Sequence, residues 1–326
     1  MGFPDLRLRR LRRTERLRDM VRETSLAPGD FIAPLFVKEG AARPVPIAAM
    51  PGQMQHTESS LVEECGALVE AGVPAVMVFG IPAHKDEAAS AAWDPEGIVQ
   101  GALRRVRAET GDRLVLIPDL CLCEYTSHGH CGIIRDGAVD NDATLEAYAS
   151  IAVSYAEAGA DLVAPSGMMD GQVRAVRHAL DAAGHGGVGI LAYAVKYASV
   201  FFEPFRHAAE NAPRFGNRRG YQLDPANADE ALRETRLDIE EGADIVMVKP
   251  ALLYLDVLAR VKAAFGMPTA AYHVSGEYAM LKAAAANGWL DEHAAMLEVL
   301  TAIRRAGADL ILTYFARAAA EQLRQG

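Results

Sequence analysis

Short apolar runs alternate with longer amphipathic segments through most of this chain, and a small-residue turn precedes several of the runs. The turns Gly159-Ala160-Asp161, Gly242-Ala243-Asp244 and Gly307-Ala308-Asp309 each end a segment of helical periodicity and begin an apolar run. Gly72-Val73-Pro74 has the same position earlier in the chain. Helices that end at glycine and lead into wholly apolar strands are typical of a parallel sheet that is covered on both faces.

Eight such runs predict eight β-strands. They are Phe31–Val37, Ala75–Phe79, Leu114–Leu122, Asp161–Ser166, Gly189–Lys196, Asp244–Pro250, Pro268–Ser275 and Asp309–Tyr314. Eight strands with helices between most of them favour an α/β fold of the (β/α)₈ TIM barrel type over an open doubly wound sheet. No G-x-G-x-x-G follows the first run, which argues against a Rossmann fold. Because no linker divides the chain, we expect one barrel, residues 29–326, after an N-terminal arm, residues 1–28.

Composition and charge narrow the class of protein. The chain has 326 residues, of which 51% are hydrophobic, and its formal net charge is −10. Nucleic-acid binding needs clustered positive charge, so we expect no nucleic-acid partner for the body of the chain. We identify no signal peptide and no apolar run near the ~20 residues of a membrane span, and therefore expect a cytoplasmic protein. The arginine-rich arm has two interpretations, nucleic-acid binding or docking on an acidic neighbouring subunit, and the acidic body favours the second.

Two of the predicted strands end in lysine, Lys196 on the fifth and Lys249 on the sixth. The active site of a TIM barrel lies at the carboxyl ends of its strands. Two lysines at adjacent buried strand ends raise each other's cost of protonation, so at least one should be partly neutral near pH 7. A neutral amine attacks a ketone or aldehyde to form a Schiff base. The alternative for each lysine is a salt bridge or a grip on phosphate.

Three of the four cysteines, Cys121, Cys123 and Cys131, lie within eleven residues just beyond the third predicted strand. Thiolates this close in a reducing compartment suit zinc better than a disulfide. Three protein ligands leave a fourth position for water or substrate, as in catalytic sites, whereas addition of His128 or His130 would close the site as a structural one. The position at a strand end favours the open form.

A long polar stretch, Tyr197 to Asn227, follows the fifth predicted strand and carries several arginines and glycines. A loop of this kind over a barrel mouth is typical of a lid, and its arginines can clamp a carboxylate bidentately. Surface arginines alone would be a weak signal. Together with the lysines they indicate a substrate that bears both a carbonyl and a carboxylate.

Six segments, in order, resemble the porphobilinogen synthase family, also called 5-aminolaevulinate dehydratase. They are CLCEYTSHGHCG from Cys121, KYAS and PFR from Lys196, FGNRRGYQL from Phe215, MVKP and YLD around Lys249, YHVSGEYAML from Tyr272 and RAGADLILTY from Arg305. The resemblance runs from about residue 7 to the C-terminus. It implies a lyase that condenses two 5-aminolaevulinate molecules to porphobilinogen, with loss of two waters, in haem and other tetrapyrrole biosynthesis.

The same resemblance implies roles for individual residues. Lys249 would form the Schiff base with the substrate that supplies the propionate side, and Lys196 would engage the second substrate or transfer protons. The implied carboxylate grips are Ser275 and Tyr314 for the first substrate, and Arg206, Arg218 and Gln222 for the second.

The resemblance also implies cofactors and partners. The cysteine trio Cys121, Cys123 and Cys131 is typical of the zinc-dependent branch, in which zinc would polarise the second substrate's carbonyl or bind its amine. Glu234 lies where many bacterial relatives have a glutamate linked to an allosteric magnesium at a subunit interface. The basic N-terminus is similar to the arm by which members of the family embrace a neighbouring barrel, and this implies a homo-octamer.

Three places depart from the family pattern, all of them near the lysines. They are Gly167 where many relatives have aspartate, Phe202-Glu203 where tyrosine-glycine is commoner, and Ala251-Leu252-Leu253 in place of a glycine-containing turn. Two other functions fit part of the pattern. A class I Schiff-base aldolase acting on a keto acid would use the lysines but not the cysteines, and a non-catalytic zinc-binding assembly protein would use only the cysteines.

Overall fold

The structure, a computed structural model, describes residues 6–325 and contains a closed barrel of parallel strands. The barrel strands are β1 Phe31–Lys38, β2 Ala75–Ile81, β3 Val115–Leu120, β4 Leu162–Pro165, β5 Gly189–Lys196, β6 Ile245–Lys249, β7 Thr269–His273 and β8 Leu310–Thr313. Each strand pairs with the next along the chain, and β8 pairs with β1 to close the ring. The predicted (β/α)₈ TIM barrel is confirmed, and every predicted strand end lies within two residues of the observed one.

Helices surround the barrel and return the chain from the end of one strand to the start of the next. The longer ones are Glu58–Ala71, Ile98–Thr110, Asn141–Glu157, Gln172–Ala182, Asp229–Glu241, Leu255–Phe265, Ser275–Ala286, Glu292–Arg305 and Ala316–Gln325. Short helices are Glu15–Met20 and Glu203–Ala208, and 3₁₀ turns cover Leu8–Arg12, Pro28–Asp30, Ser90–Trp93, Gly111–Arg113, Val200–Phe202 and Leu252–Tyr254. Two small strand pairs lie outside the barrel wall, Val45–Pro46 with Met54–His56 and Ile134–Arg135 with Ala138–Val139.

Local sequence signals set where several of these helices begin and end. The side chains of Thr57 and Asp140 accept hydrogen bonds from free backbone N–H groups at the start of the helices that follow them. Gly72 and Gly242 end their helices in the left-handed conformation, which glycine adopts without steric cost. Each glycine stands directly before the turn that leads into a barrel strand. The repeated small-residue turns of the sequence are therefore helix C-caps.

The barrel strands are buried almost along their whole length because helices cover one face and the opposing strands cover the other. All seven residues of β2 are buried, as are seven of the eight in β1. The rings of Phe36 and Phe79 stack at 5.5 Å between centroids inside the barrel. Polar side chains become frequent only where the strands end.

The N-terminal segment lies apart from the core. From Leu6 to Glu23 no residue is buried, although the segment forms a 3₁₀ turn and a short helix. The predicted arm, residues 1–28, begins with five residues that fall outside the described part of the chain, and Gly326 at the far end of the predicted barrel does so too. The division into arm and barrel domain therefore stays a prediction.

Within residues 6–325, every helix is too short or too polar to cross a lipid bilayer. The cytoplasmic location stays a prediction.

Candidate active site

Lys196 and Lys249 lie side by side in register at the carboxyl ends of β5 and β6, and their side chains are only 5% and 4% exposed. The ammonium nitrogen Nζ of Lys249 is 4.2 Å from the centroid of the Tyr272 ring. Three further rings lie 5.0 to 5.1 Å from the same atom, those of Tyr193, Phe202 and Phe205. The predicted juxtaposition of two buried lysines at the barrel mouth is therefore observed, and Lys249 stands in an aromatic enclosure.

The two lysines have different pKa values because their surroundings differ. Burial and the neighbouring charge of Lys196 lower the pKa of Lys249 to about 7, because both disfavour a second ammonium ion. Burial also acts to lower the pKa of Lys196, but Cys131, Cys121 and Asp119 outweigh it and raise that pKa above its ordinary value. Lys249 is therefore the amine that is substantially neutral at physiological pH, and Lys196 is the cation beside it.

A short hydrogen-bonded chain connects Lys196 to a buried carboxyl group. Nζ of Lys196 donates to the carbonyl oxygen of Ser166 at 2.5 Å, and Oγ of Ser166 donates to Oδ2 of Asp119 at 3.0 Å. The other carboxyl oxygen of Asp119 is buried and has no hydrogen-bond partner among the described residues. Burial, reinforced by Glu124, raises the pKa of Asp119 to about 7. Asp119 can therefore take up or release a proton near neutral pH.

Asp119 and Ser166 lie in the predicted strands Leu114–Leu122 and Asp161–Ser166, but sequence reasoning gave neither residue a function. Their position at the carboxyl ends of β3 and β4 was the available signal, since this edge of a TIM barrel carries its chemistry. The connection to Lys196 depends on contacts across 30 and 47 positions of the chain, and no local pattern records such contacts.

The mouth of the barrel is almost filled. The space between its lining side chains is about 10 Å³, which is room for about one water molecule. It is lined by Phe79, Asp119, Cys123, Glu124, Ser166, Lys196, Phe202, Phe205, Arg218 and Lys249. Phe202 and Phe205 belong to the segment after β5, which the sequence predicted as a lid. A substrate can reach Lys249 only if this segment moves.

The three clustered cysteines meet as predicted. The sulfur atoms of Cys121, Cys123 and Cys131 all lie within 4.8 Å of one another and are buried. Tetrahedral zinc with ~2.3 Å bonds to sulfur needs sulfurs about 3.8 Å apart, so the cluster requires only small adjustments to fit. Three soft sulfur donors are a ligand set that suits zinc.

Neither neighbouring histidine completes a fourth ligand position. Among residues 6–325, the group of side chains close enough to share a metal contains the three cysteines alone. The ring of His130 hydrogen-bonds through Nδ1 to the Tyr221 hydroxyl at 3.1 Å and through Nε2 to the Phe215 carbonyl at 3.0 Å. Nδ1 of His128 accepts from the backbone N–H of His130. The geometry therefore corresponds to the open, three-ligand form of the site.

Two of the expected carboxylate grips lie at the carboxyl ends of β7 and β8. The Tyr314 hydroxyl is hydrogen-bonded to the Tyr272 hydroxyl at 2.9 Å, and Tyr272 is the ring nearest to Lys249. Oγ of Ser275 accepts from the backbone N–H of Phe205 at 3.0 Å and donates to the Phe201 carbonyl at 3.2 Å. Ser275 is therefore occupied by the lid segment, and opening of that segment would free it.

The three expected grips in the lid are placed differently from one another. Arg218 lines the space around Lys249, and its Nε has no hydrogen-bond partner among the described residues. Arg206 forms an ion pair with Glu203 at 2.7 Å. Gln222 has a buried amide without a partner in the described part of the chain, and it lines a different cavity on the outer face. Only Arg218 of these three lies beside the lysines in this closed arrangement.

Glu234 is remote from the lysine site. It lies on the helix Asp229–Glu241 and lines an outer cavity of about 730 Å³, together with Asp170 and Glu230. Burial, followed by the charges of Asp170 and Glu230, raises the pKa of Glu234 above its ordinary value. The magnesium function of Glu234 stays a prediction.

The departure at Gly167 has a structural reason. A Cβ atom at this position would overlap the hydroxyl group of Tyr148. That hydroxyl donates to the backbone carbonyl of Cys131 at 2.7 Å, so it occupies the space of a residue-167 side chain and supports the cysteine cluster. Glycine at 167 and tyrosine at 148 are therefore sterically linked.

This linkage predicts the effect of adding a methyl group. Gly167→Ala is expected to lower the free energy of unfolding by about 1–3 kcal/mol, because the methyl group overpacks a buried site. Thermal or urea unfolding measures the change. Gly187→Ala is the matched control, since a Cβ at Gly187 meets nothing within 4 Å. Equal stability of the two variants would contradict the steric link.

Comparison with known proteins agrees with the geometry. The family model for delta-aminolevulinic acid dehydratase matches residues 5–322. A delta-aminolevulinic acid dehydratase of Streptomyces coelicolor is 57% identical over 99% of this chain and 98% of its own length. That of Methanothermobacter thermautotrophicus is 54% identical over 97% of each chain.

A solved structure is similar in fold as well as in sequence. It is the delta-aminolevulinic acid dehydratase (porphobilinogen synthase) of Toxoplasma gondii in complex with the reaction product porphobilinogen. It superimposes with a TM-score of 0.95 and is 42% identical, covering 97% of this chain and 91% of its own. Matches of this extent leave no part of the barrel outside the comparison, and the chain belongs to the delta-aminolevulinic acid dehydratase family.

Proposed function

We propose that this chain condenses two molecules of 5-aminolaevulinate, the anion of delta-aminolevulinic acid, to one porphobilinogen with loss of two waters. The reaction belongs to the biosynthesis of haem and other porphyrins. Family membership over the whole barrel supports the proposal, as does the bound porphobilinogen in the Toxoplasma gondii relative. The observation that carries it is the buried lysine pair, in which Lys249 has a pKa of about 7.

We assign Lys249 the formation of a Schiff base with the first substrate. Its neutral amine attacks the ketone carbon, and the resulting carbinolamine loses its hydroxyl group as water to give the imine. Lys196, which remains protonated, is suited to donate a hydrogen bond to substrate oxygen in the same space. Asp119 lines that space and can accept or return a proton because its pKa is about 7.

The carboxylates of the two substrates need separate groups of binding residues. We assign the first to Ser275 and Tyr314 and the second to Arg206, Arg218 and Gln222. Arg218 is the best supported of these, because it faces the lysines and has an unused Nε. The lid, residues 197–227, must open to admit substrate, and its closure around a bound carboxylate would bring the remaining groups together.

We propose zinc as the ion held by Cys121, Cys123 and Cys131. When bound, it would supply Lewis-acid chemistry to the second substrate. Cys123 lines the space around both lysines, so chemistry at this cluster is within reach of the Schiff base. Glu234 as an allosteric magnesium ligand remains our second, separate metal proposal.

We further propose a homo-oligomer, an octamer by analogy with the family, in which the N-terminal arm docks on a neighbouring barrel. The exposure of Leu6 and Leu8, 90% and 82%, supports this, because apolar side chains on an arginine-rich arm gain stability when a second surface covers them. Light scattering of the full chain, compared with a chain lacking residues 1–28, tests it.

A colorimetric assay for porphobilinogen tests the proposed activity. Purified protein supplied with zinc and 5-aminolaevulinate is expected to form one porphobilinogen for every two substrate molecules consumed. Absence of product with zinc, with magnesium and with both would refute the proposal. A class I aldolase would give no such product but would form a lysine adduct with an aldol substrate.

The pH dependence of Schiff-base formation follows from the lowered pKa of Lys249. Only the neutral amine reacts, and protonation inactivates it below pH 7, so the rate of adduct formation should fall about tenfold per pH unit below that value. Above pH 7 the rate should reach a plateau. Initial rates of borohydride-trapped adduct between pH 5 and 9 measure this. A rate that still rises about tenfold per pH unit up to pH 9, as expected for an ordinary lysine with a pKa of about 10.4, would contradict the assigned environment.

A further inference from the structure

The lid is joined to the cysteine loop, residues 121–131, by hydrogen bonds along its length. Nη2 of Arg218 donates to the carbonyl of Gly129 at 2.9 Å, and the backbone N–H of Arg214 donates to the carbonyl of His128 at 3.0 Å. Gly129 has a φ of +73°, and a Cβ there would lie 2.5 Å from the carbonyl oxygen of Ala212 in the lid. The two segments therefore approach as closely as backbone allows.

One lid side chain reaches the sulfur cluster itself. Asn211 is 1% exposed, and its Nδ2 donates both to Sγ of Cys123 at 3.2 Å and to Oε1 of Glu124 at 2.8 Å. Its backbone carbonyl accepts from Nη2 of Arg218 at 2.7 Å. Among the hydrogen bonds of the described residues, this is the one in which a lid side chain contacts a sulfur of the cluster. An amide N–H cannot bind a metal, but its hydrogen bond fixes the direction of the sulfur that would.

Glu210, the residue before Asn211, is itself held in place by side chains from outside the cysteine loop. Glu210 has a φ of +53°, an uncommon conformation for a residue other than glycine. Its carboxylate is bound by the side chains of Lys38, at the end of β1, and of Gln55, in the small strand Met54–His56. Its carbonyl accepts from Nζ of Lys85 at 2.7 Å. These contacts hold the backbone of Glu210 in place next to Asn211, whose amide reaches Cys123.

We propose that Asn211 is a positioning residue that couples closure of the lid to metal binding at the three cysteines. The closed lid fixes the direction of the Cys123 sulfur through the Asn211 amide and so tightens metal binding. Coupling between two equilibria is reciprocal, so a bound metal stabilises the closed lid by the same factor. This inference rests on the metal site of the proposed function. It goes beyond that site by assigning the lid a part in holding the metal.

Zinc affinity is the first measurement. Full-length wild type, Asn211→Ala and Asn211→Ser are titrated with zinc in competition with a chromophoric chelator. Partners that orient metal ligands typically contribute 10- to 100-fold to affinity, so both variants should bind zinc about 10-fold more weakly. Asn217→Ala is the matched control, an exposed amide in the same lid that accepts a hydrogen bond from the backbone of Arg219. It should bind zinc as wild type does.

Lid closure is the second measurement. Arg214 and Arg219 are exposed trypsin sites within the lid, and the rate of cleavage after them reports how often the lid opens. Zinc should slow this cleavage in wild type and in Asn217→Ala. In Asn211→Ala the protection by zinc should fall by about the factor lost in zinc affinity. Asn211→Ser, which keeps a small polar side chain at the buried position, provides the same comparison if the alanine variant folds poorly.

The outcomes are distinguishable. Unchanged zinc affinity in both Asn211 variants would overturn the coupling while leaving the proposed metal site intact. Weaker zinc binding with undiminished protection of the lid would also overturn it, since Asn211 would then act on Cys123 without the lid. Failure of wild type to bind zinc at the cysteines would remove the metal site and the inference together.

Discussion

Replacement of Lys249 by alanine is expected to reduce porphobilinogen formation by on the order of 10⁴-fold or more, the scale of loss when an enzyme is deprived of its nucleophile. The variant should also lose the adduct that borohydride traps in the presence of 5-aminolaevulinate. Both effects have one cause, since the imine nitrogen of the first substrate comes from this side chain. Colorimetric rates and the mass of the borohydride-treated protein measure them.

Lys196 cannot replace the missing amine. It lies next to Lys249 in the sheet, but nearby sulfur and carboxyl groups raise its pKa, so its neutral fraction at pH 7 is very small. Lys196→Ala should therefore keep a trapped adduct on Lys249 although it turns over slowly. Because the charge of Lys196 is one cause of the lowered pKa of Lys249, this variant should also shift the pH midpoint of adduct formation upward.

A lysine outside the barrel mouth provides the control. Lys282 is paired with Glu292 on the outer helices at 2.6 Å, and Lys282→Ala should keep both activity and adduct. A Lys249→Ala variant that still forms product, or an adduct that peptide mapping assigns to Lys196, would reverse the division of labour between the lysines.

The barrel was predictable because its signals are local. A wholly apolar run such as Ala75–Phe79 can be stable only where both faces are covered, and glycine turns such as Gly242-Ala243-Asp244 mark the preceding helix end. The number and order of these runs determine the fold class. The clustering of Lys196 with Lys249 then follows, since the carboxyl ends of adjacent parallel strands meet.

The remaining features of the site depend on contacts between distant segments. Strand position makes the two lysines equivalent, and their surroundings separate their pKa values. Cys131, Cys121 and Asp119 raise the pKa of Lys196, whereas burial and the charge of Lys196 lower that of Lys249. The packing of Phe202 against Lys249 and the reach of Asn211 to Cys123 join residues 47 and 88 positions apart. Patterns of hydrophobicity carry no information about such pairs.

Removal of the metal is expected to have the second large effect. Protein treated with a strong zinc chelator and then freed of it should lose about 100-fold or more of its activity, because a Lewis acid contributes several kcal/mol to stabilising developing charge. Addition of zinc should restore the activity, and magnesium alone should not. Metal content measured before and after treatment, alongside the porphobilinogen assay, establishes each state.

Cysteine variants show whether activity is lost because the metal is lost or because the chelator damages the protein. Cys121→Ala and Cys131→Ala each remove one of the three sulfur donors and should lower both bound zinc and activity. Cys65→Ala is the control, since Cys65 is buried on the helix Glu58–Ala71, and burial raises the pKa of its thiol to about 12. It stays a neutral thiol away from the cluster and should be dispensable for zinc binding.

The chelation experiment also tests whether Schiff-base formation at Lys249 depends on the metal at the cysteines. Lys249 does not need zinc to be neutral, because burial and Lys196 lower its pKa. Metal-free protein should therefore still form the borohydride-trapped adduct with the first substrate while failing to complete the condensation. Product that persists after verified zinc removal would refute the zinc function and leave the lysine chemistry standing. Loss of the adduct together with the product would instead mean that the metal maintains the lysine site itself.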